Sequence, residues 1–443
     1  MTVQARVFKG TRDILPEELL SRNRLLRTLE GVFEQFGFGP LETPAMEHLD
    51  ILLGKYGEEG EKLIYKMAYK GGEVLALRYD LTVPLSRVVA MNPELPLPFK
   101  RYQVQPVWRA DRAQPAQGRF REFIQCDVDT VGTSSVAADA ENVAVVHDGI
   151  LALGIDKFVV RINNRKILAG IREWAGVDPA LEAELFRIVD KLDKVGLDGV
   201  KEELAKSGLP EEPVAKVLDV MQTKGAPREV LVAARAQLAS SERAIEGIEE
   251  LREMLDYATA LGISEERLKV DLYLTRGLDY YTGPIYEVVL ADDRIERFGS
   301  LAGGGRYDDL IAFYGGASVP ATGVSIGLSR VQTALLKLDL LKRRRTSSEA
   351  LVLRFSDTPL DQCLLIATEL RAGGIPCESY YDTDRLKKQF QLAERKGIPV
   401  AVLAGQSELE AGTVNLKHLA RGEQVTVPRA EMVAKVRAWI DGA

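Results

Sequence analysis

The residues of this chain best suited to chemistry sit at Leu274–Gly283, LTRGLDYYTG. The stretch holds one cation (Arg276), one carboxylate (Asp279) and two adjacent phenols (Tyr280, Tyr281), bounded by Gly277 and Gly283. That mixture suits a polar pocket for a small ligand carrying charge and hydrogen-bonding edges, and a core strand has no need of it. A second set lies upstream in Arg101–Asp129, RYQVQPVWRADRAQPAQGRFREFIQCDVD, where two strand-like runs flank a loop at Asp111–Gly118. Arg109, Arg112, Arg119 and Arg121 lie on or beside that hairpin. Guanidinium groups are planar forks that pair bidentately with phosphate, so several on one sheet surface suit a polyphosphate. Phe123, two residues after Arg121, is expected to share its face and give an apolar platform beside the cations. A third set is AGGGRYD at Ala302–Asp308, followed by ATGVSIGLSR at Ala321–Arg330. Consecutive glycines permit close backbone approach to a ligand, and Arg330 falls in the first turn of a helix. A helix N-terminus favours anions, so an arginine there is better explained by a nucleotide. Taken singly, a solvated strand face or a turn would also account for the second and third sets.

The elements that must position these residues follow from periodicity. A helix is expected over Pro16–Phe36, with proline in its first turn and Gly37 after it. Strand-like runs follow at Val74–Tyr79, Lys100–Arg109 and Arg119–Thr130, the last two alternating as antiparallel neighbours with one wet face. From Val177 to Leu261 the texture becomes Ala, Leu, Glu and Lys at helical spacing, broken at Gly196, Gly208-Leu209-Pro210 and Gly225-Ala226-Pro227. Strand character returns at Lys269–Leu290 and Ala321–Ile326, before a helix over Leu328–Leu341. Lys342–Ser348 reads as a charged linker. Beyond it, strands at Ala350–Phe355, Ile375–Tyr381 and Val400–Leu403 alternate with helices at Leu360–Arg371 and Arg385–Lys396, which describes a β/α unit with a largely parallel sheet. The expected domains are a core in two parts (1–170 and 266–341), a helical insertion (171–265), a linker (342–349) and a terminal domain (350–443).

Composition narrows the chemistry. A chain of 443 residues exceeds what one core usually supports. Cys126, Cys363 and Cys377 show neither metal spacing nor a disulfide pattern, and His48, His147 and His418 are equally dispersed. A His-rich zinc site and hydrolase triads therefore have little to draw on. The net charge of −7 argues against indiscriminate nucleic-acid binding, DNA included, while leaving room for local basic patches. With no apolar run of spanning length and no signal core, the cytoplasm is the expected compartment, with no membrane partner.

Together these motifs resemble the histidyl-tRNA synthetase family of class II aminoacyl-tRNA synthetases. The matching pieces are KGTRD at Lys9–Asp13, Glu42-Thr43-Pro44 at the position of the class II dimer motif, LRYDLT at Leu77–Thr82, the arginine hairpin and the glycine–arginine strand-helix piece. RGLDYYTG together with GGGRYD is specific to the histidine branch, and Leu386–Phe390, LKKQF, resembles its anticodon-binding domain. The resemblance implies an α+β fold: a class II antiparallel core of six or seven strands with a helical insertion, plus a C-terminal α/β anticodon-binding domain. It implies a ligase that joins L-histidine to ATP, releases pyrophosphate, and transfers histidine to the 3′ end of tRNA(His).

By the same resemblance Arg109 and Arg276 flank the reacting α-phosphate. Phe123 and Arg330 sandwich adenine, and Arg119 or Arg121 reaches the terminal phosphates, with magnesium bridging them on unassigned ligands. Asp80, Leu81 and Thr82 match the ammonium-binding segment, where many relatives carry Glu-Gly-Thr. Gln125, Asp129, Tyr280, Tyr281 and Tyr307 match the amino-acid pocket, which Arg109 and Arg276 also border. The loop Asp111–Gly118 resembles the longer eukaryotic-type version and is expected to face the acceptor stem. Lys387, Lys388, Arg395 and Lys396 are candidate tRNA phosphate contacts. A homodimer is implied, with Phe36–Pro44 near its interface. No general base for transfer stands out; an adenylate phosphate oxygen is a candidate. The alternatives are a non-catalytic regulatory subunit of ATP phosphoribosyltransferase and a histidine- or tRNA-sensing module.

Overall fold

The computed structural model describes residues 3–53, 62–275, 280–295, 298–315, 317–341 and 343–442, without the side chains of residues 193 and 194. Two compact units result, one from Met1–Arg12 and Leu25–Leu341, the other from Asp13–Arg24 and Lys342–Ala443.

The strands of the first unit are β1 (Gly39–Pro40), β2 (Met46–His48), β3 (Lys66–Ala68), β4 (Val74–Leu77), β5 (Phe99–Trp108), β6 (Glu122–Val131), β7 (Phe158–Asn164), β8 (Leu268–Val270), β9 (Pro284–Leu290), β10 (Ser300–Arg306) and β11 (Ala321–Gly327). Eight of them form one sheet in the order β1-β5-β6-β11-β10-β9-β7-β8, and β2, β4 and β3 form a small second sheet. The expected antiparallel core of six or seven strands is present, with an addition at each edge. The six central strands are antiparallel, but each edge adds a short parallel strand, β1 beside β5 and β8 beside β7.

Alternation along β6 decides which face does what. Ile124, Cys126 and Val128 point into the main core with Leu25, Leu29 and Phe33 of the helix Pro16–Gln35 and Val143 and Ile150 of Ala137–Ala152. Phe123, Gln125, Asp127 and Asp129 therefore point to the other face, which the helices leave open. The register carries this polarity across the sheet. Gln105, Gln103 and Arg101 of β5 lie beside Gln125, Asp127 and Asp129, and Gly327, Ser325 and Gly323 of β11 lie beside the same three from the other side.

Helices Glu182–Val189, Leu192–Lys206, Glu211–Met221, Pro227–Gln237 and Glu242–Ala260 fill the region of helical texture, and Gly196 (φ 72°) kinks the second. The strand expected over Lys269–Leu290 is interrupted. The Asp271 carboxylate accepts from the Tyr273 N–H and pairs with Arg161 at 2.8 Å, turning the chain after β8. The last helix of this unit stops at Lys337, because Leu340 N–H closes onto the Leu335 carbonyl with Asp339 at φ 56°.

The second unit has a five-stranded sheet of β12 (Ala350–Val352), β13 (Cys377–Ser379), β14 (Val400–Leu403), β15 (Thr413–His418) and β16 (Gln424–Pro428), ordered β13-β12-β14-β15-β16. Only β13-β12-β14 is parallel; β15 and β16 form an antiparallel hairpin, so the sheet is mixed and the largely parallel expectation is corrected. Of the four cations singled out on or near the helix Leu386–Lys396, Lys387, Lys388 and Arg395 are exposed, with Lys388 paired to Asp384 at 2.8 Å, and Lys396 pairs with Glu378.

Candidate active site

A cavity of about 600 Å³ opens on the polar face of the large sheet, within the range of small-ligand sites. It has an acidic, aromatic end and a basic end. At the acidic end Asp80, Asp127 and Asp129 line the wall with Tyr280, Tyr281 and Tyr307. At the basic end the wall carries Arg109, Arg112, Arg119 and Arg330, with Phe120 and Phe123 between them.

Arg109 joins the two ends. Its Nη2 donates to Gln125 Oε1 at 2.8 Å and its Nε to the Tyr79 carbonyl at 3.1 Å, while its guanidinium lies 4.3 Å from the Tyr79 ring centre and 5.2 Å from that of Phe123. Gln125 is thereby oriented: its amide nitrogen donates to Ser325 Oγ at 2.8 Å and toward Asp127 Oδ1 at 3.2 Å. A guanidinium held by an amide, a carbonyl and two rings keeps its remaining N–H groups aimed at one place, the condition for preorganised charge stabilisation.

The acidic end is buried. Asp129 and Asp127 are each only 2% exposed, and Asp80 equally so. Burial pushes Asp129 up to about 6, against the pull of Arg101 (Nη2 to Oδ2, 2.8 Å), and the neighbouring Asp127 pushes the same way. Burial raises Asp127 too, although Arg101 opposes it. The Tyr307 hydroxyl donates to Asp129, and burial drives the phenols of Tyr281 and Tyr307 well above their usual range. Both are therefore neutral donors at any working pH. The three tyrosine rings stack edge-on, Tyr280 to Tyr281 at 5.0 Å and Tyr280 to Tyr307 at 5.8 Å. An end so lined with carboxylates and phenol hydroxyls suits a small cation or a ring bearing N–H groups.

Glycine at 323 is required by the Asp129 side chain. A Cβ there would lie 1.9 Å from Asp129 Oδ1, so the carboxylate folds across the bare backbone of β11. Gly118 (φ 71°) ends the hairpin loop, and a Cβ there would meet the Ser329 carbonyl at 2.6 Å. The loop thus packs on the start of the helix Leu328–Lys337, bringing Arg119 and Arg330 to one cavity. Arg330 is itself steadied by donating from Nη2 to the Phe298 carbonyl at 2.6 Å.

Most residues singled out from sequence meet here: Asp80, Thr82, Arg109, Arg119, Phe123, Gln125, Asp129, Tyr280, Tyr281, Tyr307 and Arg330 all line the cavity. Two do not. Leu81 is fully buried and offers only its carbonyl, which accepts from Arg101 Nη2 at 3.1 Å. Arg121 turns away, donating to the Lys9 and Asp111 carbonyls (2.9 and 3.1 Å) and lying over Phe8. β6 begins only at Glu122, so the strand parity that would have put Arg121 beside Phe123 does not extend back to it. Arg276, with Gly277, Leu278 and Asp279, lies outside the described residues. The sequence reading missed Asp127, Ser325 and Phe120, and it gave Arg101 no role. Parity along β6 would have found Asp127, midway between Gln125 and Asp129. Among the described residues no group of three or more His, Cys, Asp or Glu is placed to hold a metal ion.

The family model described as "Histidyl-tRNA synthetase" matches residues 10–331, and "Anticodon binding domain" matches residues 349–439. Among curated proteins, "Histidine--tRNA ligase" of Aeropyrum pernix is 45% identical over 434 residues, covering 97% of this chain and 97% of that protein. The protein of the same name from Cytophaga hutchinsonii is 42% identical over 451 residues, covering 97% and 98%. Among solved structures, the histidyl-tRNA synthetase of Nostoc sp. PCC 7120 superposes with a TM-score of 0.86 at 33% identity, covering 98% of this chain and 99% of that one.

Proposed function

From the premise that this chain belongs to the histidyl-tRNA synthetase family, we propose that its cavity activates L-histidine with ATP and then esterifies it to tRNA(His). The observation that carries the reading is the Arg109–Gln125 hydrogen bond, which couples a basic end to an acidic, aromatic end within one cavity. An amino acid with a cationic ammonium and a ring bearing two nitrogens suits the second end, and a nucleoside triphosphate suits the first.

In the first step a histidine carboxylate oxygen attacks the α-phosphorus, the bond from that phosphorus to the β-bridging oxygen breaks, and pyrophosphate leaves. Arg109 would stabilise the charge gathering on the α-phosphate, and Arg276 would act from the opposite side. Arg119, not Arg121, is the hairpin arginine for the terminal phosphates, with Arg112 beside it. Phe123 and Arg330 would enclose adenine by stacking and cation–π contact. Magnesium would enter with ATP. The phosphate end is lined mostly by arginines, so phosphate oxygens and water, with Asp111 as the nearby carboxylate, are the fitting ligands.

Asp80 and Thr82 would take the ammonium and Asp129, Tyr281 and Tyr307 the imidazole edge. In the second step the 3′-hydroxyl of the terminal ribose attacks the histidyl carbonyl and AMP leaves, its phosphate oxygen being our candidate for the proton acceptor. The C-terminal unit, through Lys387, Lys388, Arg395 and Lys396, would meet the anticodon end. A homodimer joined near Phe36–Pro44, a cytoplasmic location and the absence of DNA as a partner complete the proposal. The regulatory-subunit and sensing readings are disfavoured, because the ATP-facing arginines and the anticodon-binding domain are all present.

Charging of tRNA(His) with labelled histidine tests this reading. Product that forms with histidine, ATP and magnesium together, and not when any one is omitted, supports it; no charging by folded protein counts against it. Arg276→Ala should abolish most activation while leaving part of the histidine binding, and unchanged activation would remove Arg276 from the chemistry.

A further inference from the structure

Behind the acidic end of the cavity lies an arginine that the reaction as described does not use. Arg101 has no exposed surface and is absent from the cavity wall, yet it is among the largest fully buried side chains of the protein. Its Nη2 is 2.8 Å from Asp129 Oδ2 and donates to the Leu81 carbonyl at 3.1 Å, while its Nη1 donates to Gln103 Oε1 at 3.2 Å. Gln103 is in turn fixed: its amide nitrogen donates to Thr43 Oγ1 at 2.8 Å and to Gln105 Oε1 at 2.6 Å.

A fully buried guanidinium is costly unless it is paired and hydrogen-bonded, and an apolar side chain would fill the same core more cheaply. What Arg101 alone does is bridge two parts of the amino-acid end that are distant in sequence. The Leu81 carbonyl lies between Asp80 and Thr82 in the turn opening the helix Thr82–Met91, and Asp129 lies on β6. We propose that Arg101 is the positioning residue of the amino-acid end: it holds the Asp80–Thr82 turn by a hydrogen bond and the Asp129 carboxylate by an ion pair, and productive histidine binding depends on it. The inference rests on the function proposed above.

The electrostatics agree with the geometry. The groups facing Asp129 are Asp127 on its own strand, Arg101 on β5, Tyr307 after β10, Asp80 before the helix Thr82–Met91, and Tyr281 before β9. Among the described residues, Arg101 is the one cation of this group, opposing burial and two carboxylates. Without it Asp129 would bind its proton more tightly and stay neutral to a higher pH. The imidazole of free histidine titrates in the same region, but identically for every variant, so a shift between variants belongs to the protein.

Histidine-dependent ATP–pyrophosphate exchange by the full chain, measured from about pH 5.5 to 8.5 for wild type, Arg101→Met and Arg101→Lys, tests the proposal. Arg101→Met should raise KM for histidine by roughly tenfold or more, with KM for ATP changed by less than about twofold. The acid limb of kcat/KM for histidine should move to higher pH, and Arg101→Lys, which keeps the charge without the fork, should recover part of both. Unchanged histidine KM and limb overturn the proposal; so does an equal rise in both KM values with no movement of the limb, the mark of a merely structural role. Should Arg101→Met not fold, Arg101→Lys carries the same criteria at smaller size. Wild-type protein without histidine-dependent exchange would overturn the functional reading itself, and is seen before any variant is compared.

Discussion

Arg109 donates to Gln125 across 2.8 Å, and this one contact makes the basic end and the acidic, aromatic end of the cavity a single hydrogen-bonded unit. Under the proposed function, recognition and activation would be coupled through this side-chain pair, Arg109 just past the end of β5 and Gln125 within β6. Disturbing either partner should be felt at both ends.

Arg109→Ala should lower kcat for pyrophosphate exchange by roughly 10²–10³-fold, the usual cost of removing one preorganised charge-stabilising donor. Arg109→Lys should recover little of it, because an ammonium cannot reach the Gln125 oxygen, the Tyr79 carbonyl and a phosphate together. Steady-state exchange at saturating histidine measures both; near-complete recovery by lysine would show that charge alone suffices.

The two hairpin arginines should separate cleanly. Arg119→Ala is expected to raise KM for ATP several-fold without changing thermal stability, since Arg119 is exposed at the cavity wall. Arg121→Ala should leave KM for ATP near wild type and cost about 1 kcal/mol of stability through its lost bonds to the Lys9 and Asp111 carbonyls. Nucleotide titrations beside melting curves decide it, and a large ATP effect from Arg121 would contradict the structure's division of labour.

Asp129→Asn should weaken histidine binding by about 10- to 100-fold, as expected when a site built on a buried polar partner loses it. The sign of the pH dependence follows from Asp129 being raised to about 6. Above that value it is a carboxylate and can serve the substrate. As pH falls through 6 it takes up a proton, and kcat/KM for histidine should fall with it beyond the decline set by substrate titration. A profile for Asp129→Asn of unchanged shape would mean the wild-type limb has another origin.

Gly323→Ala tests packing rather than charge. The new methyl would fall on the Asp129 carboxylate, so the side chain must swing off β11. Overpacking of this kind costs about 1–3 kcal/mol. A drop in melting temperature together with a raised histidine KM is expected, read by thermal denaturation and exchange kinetics; a variant with wild-type values for both would mean the carboxylate has room to spare.

Much of this was legible in the sequence because β6 writes the site in alternation: Phe123, Gln125 and Asp129 share a parity, and the strand fixes the rest. The same rule pointed to Asp127, which went unnamed because it matched no expected position. Where strands end was not legible. Arg121 sits one residue before β6, and the backbone bond from its N–H to the Gly10 carbonyl takes it out of the sheet's pattern. Arg101 was hidden for another reason: its significance is the convergence of Leu81, Gln103 and Asp129, which lie up to 48 positions apart in the chain and meet only through register. The β15–β16 hairpin escaped because its alternation is short and its outward residues are polar, which resembles a loop.

Histidine activation in this cavity is tested most directly by ATP–pyrophosphate exchange by the purified full chain with L-histidine as the sole amino acid. Exchange that requires histidine, and that Arg109→Ala removes while the protein stays folded, is the expected result. Folded wild-type protein that binds ATP yet shows no exchange above the no-histidine control would contradict it.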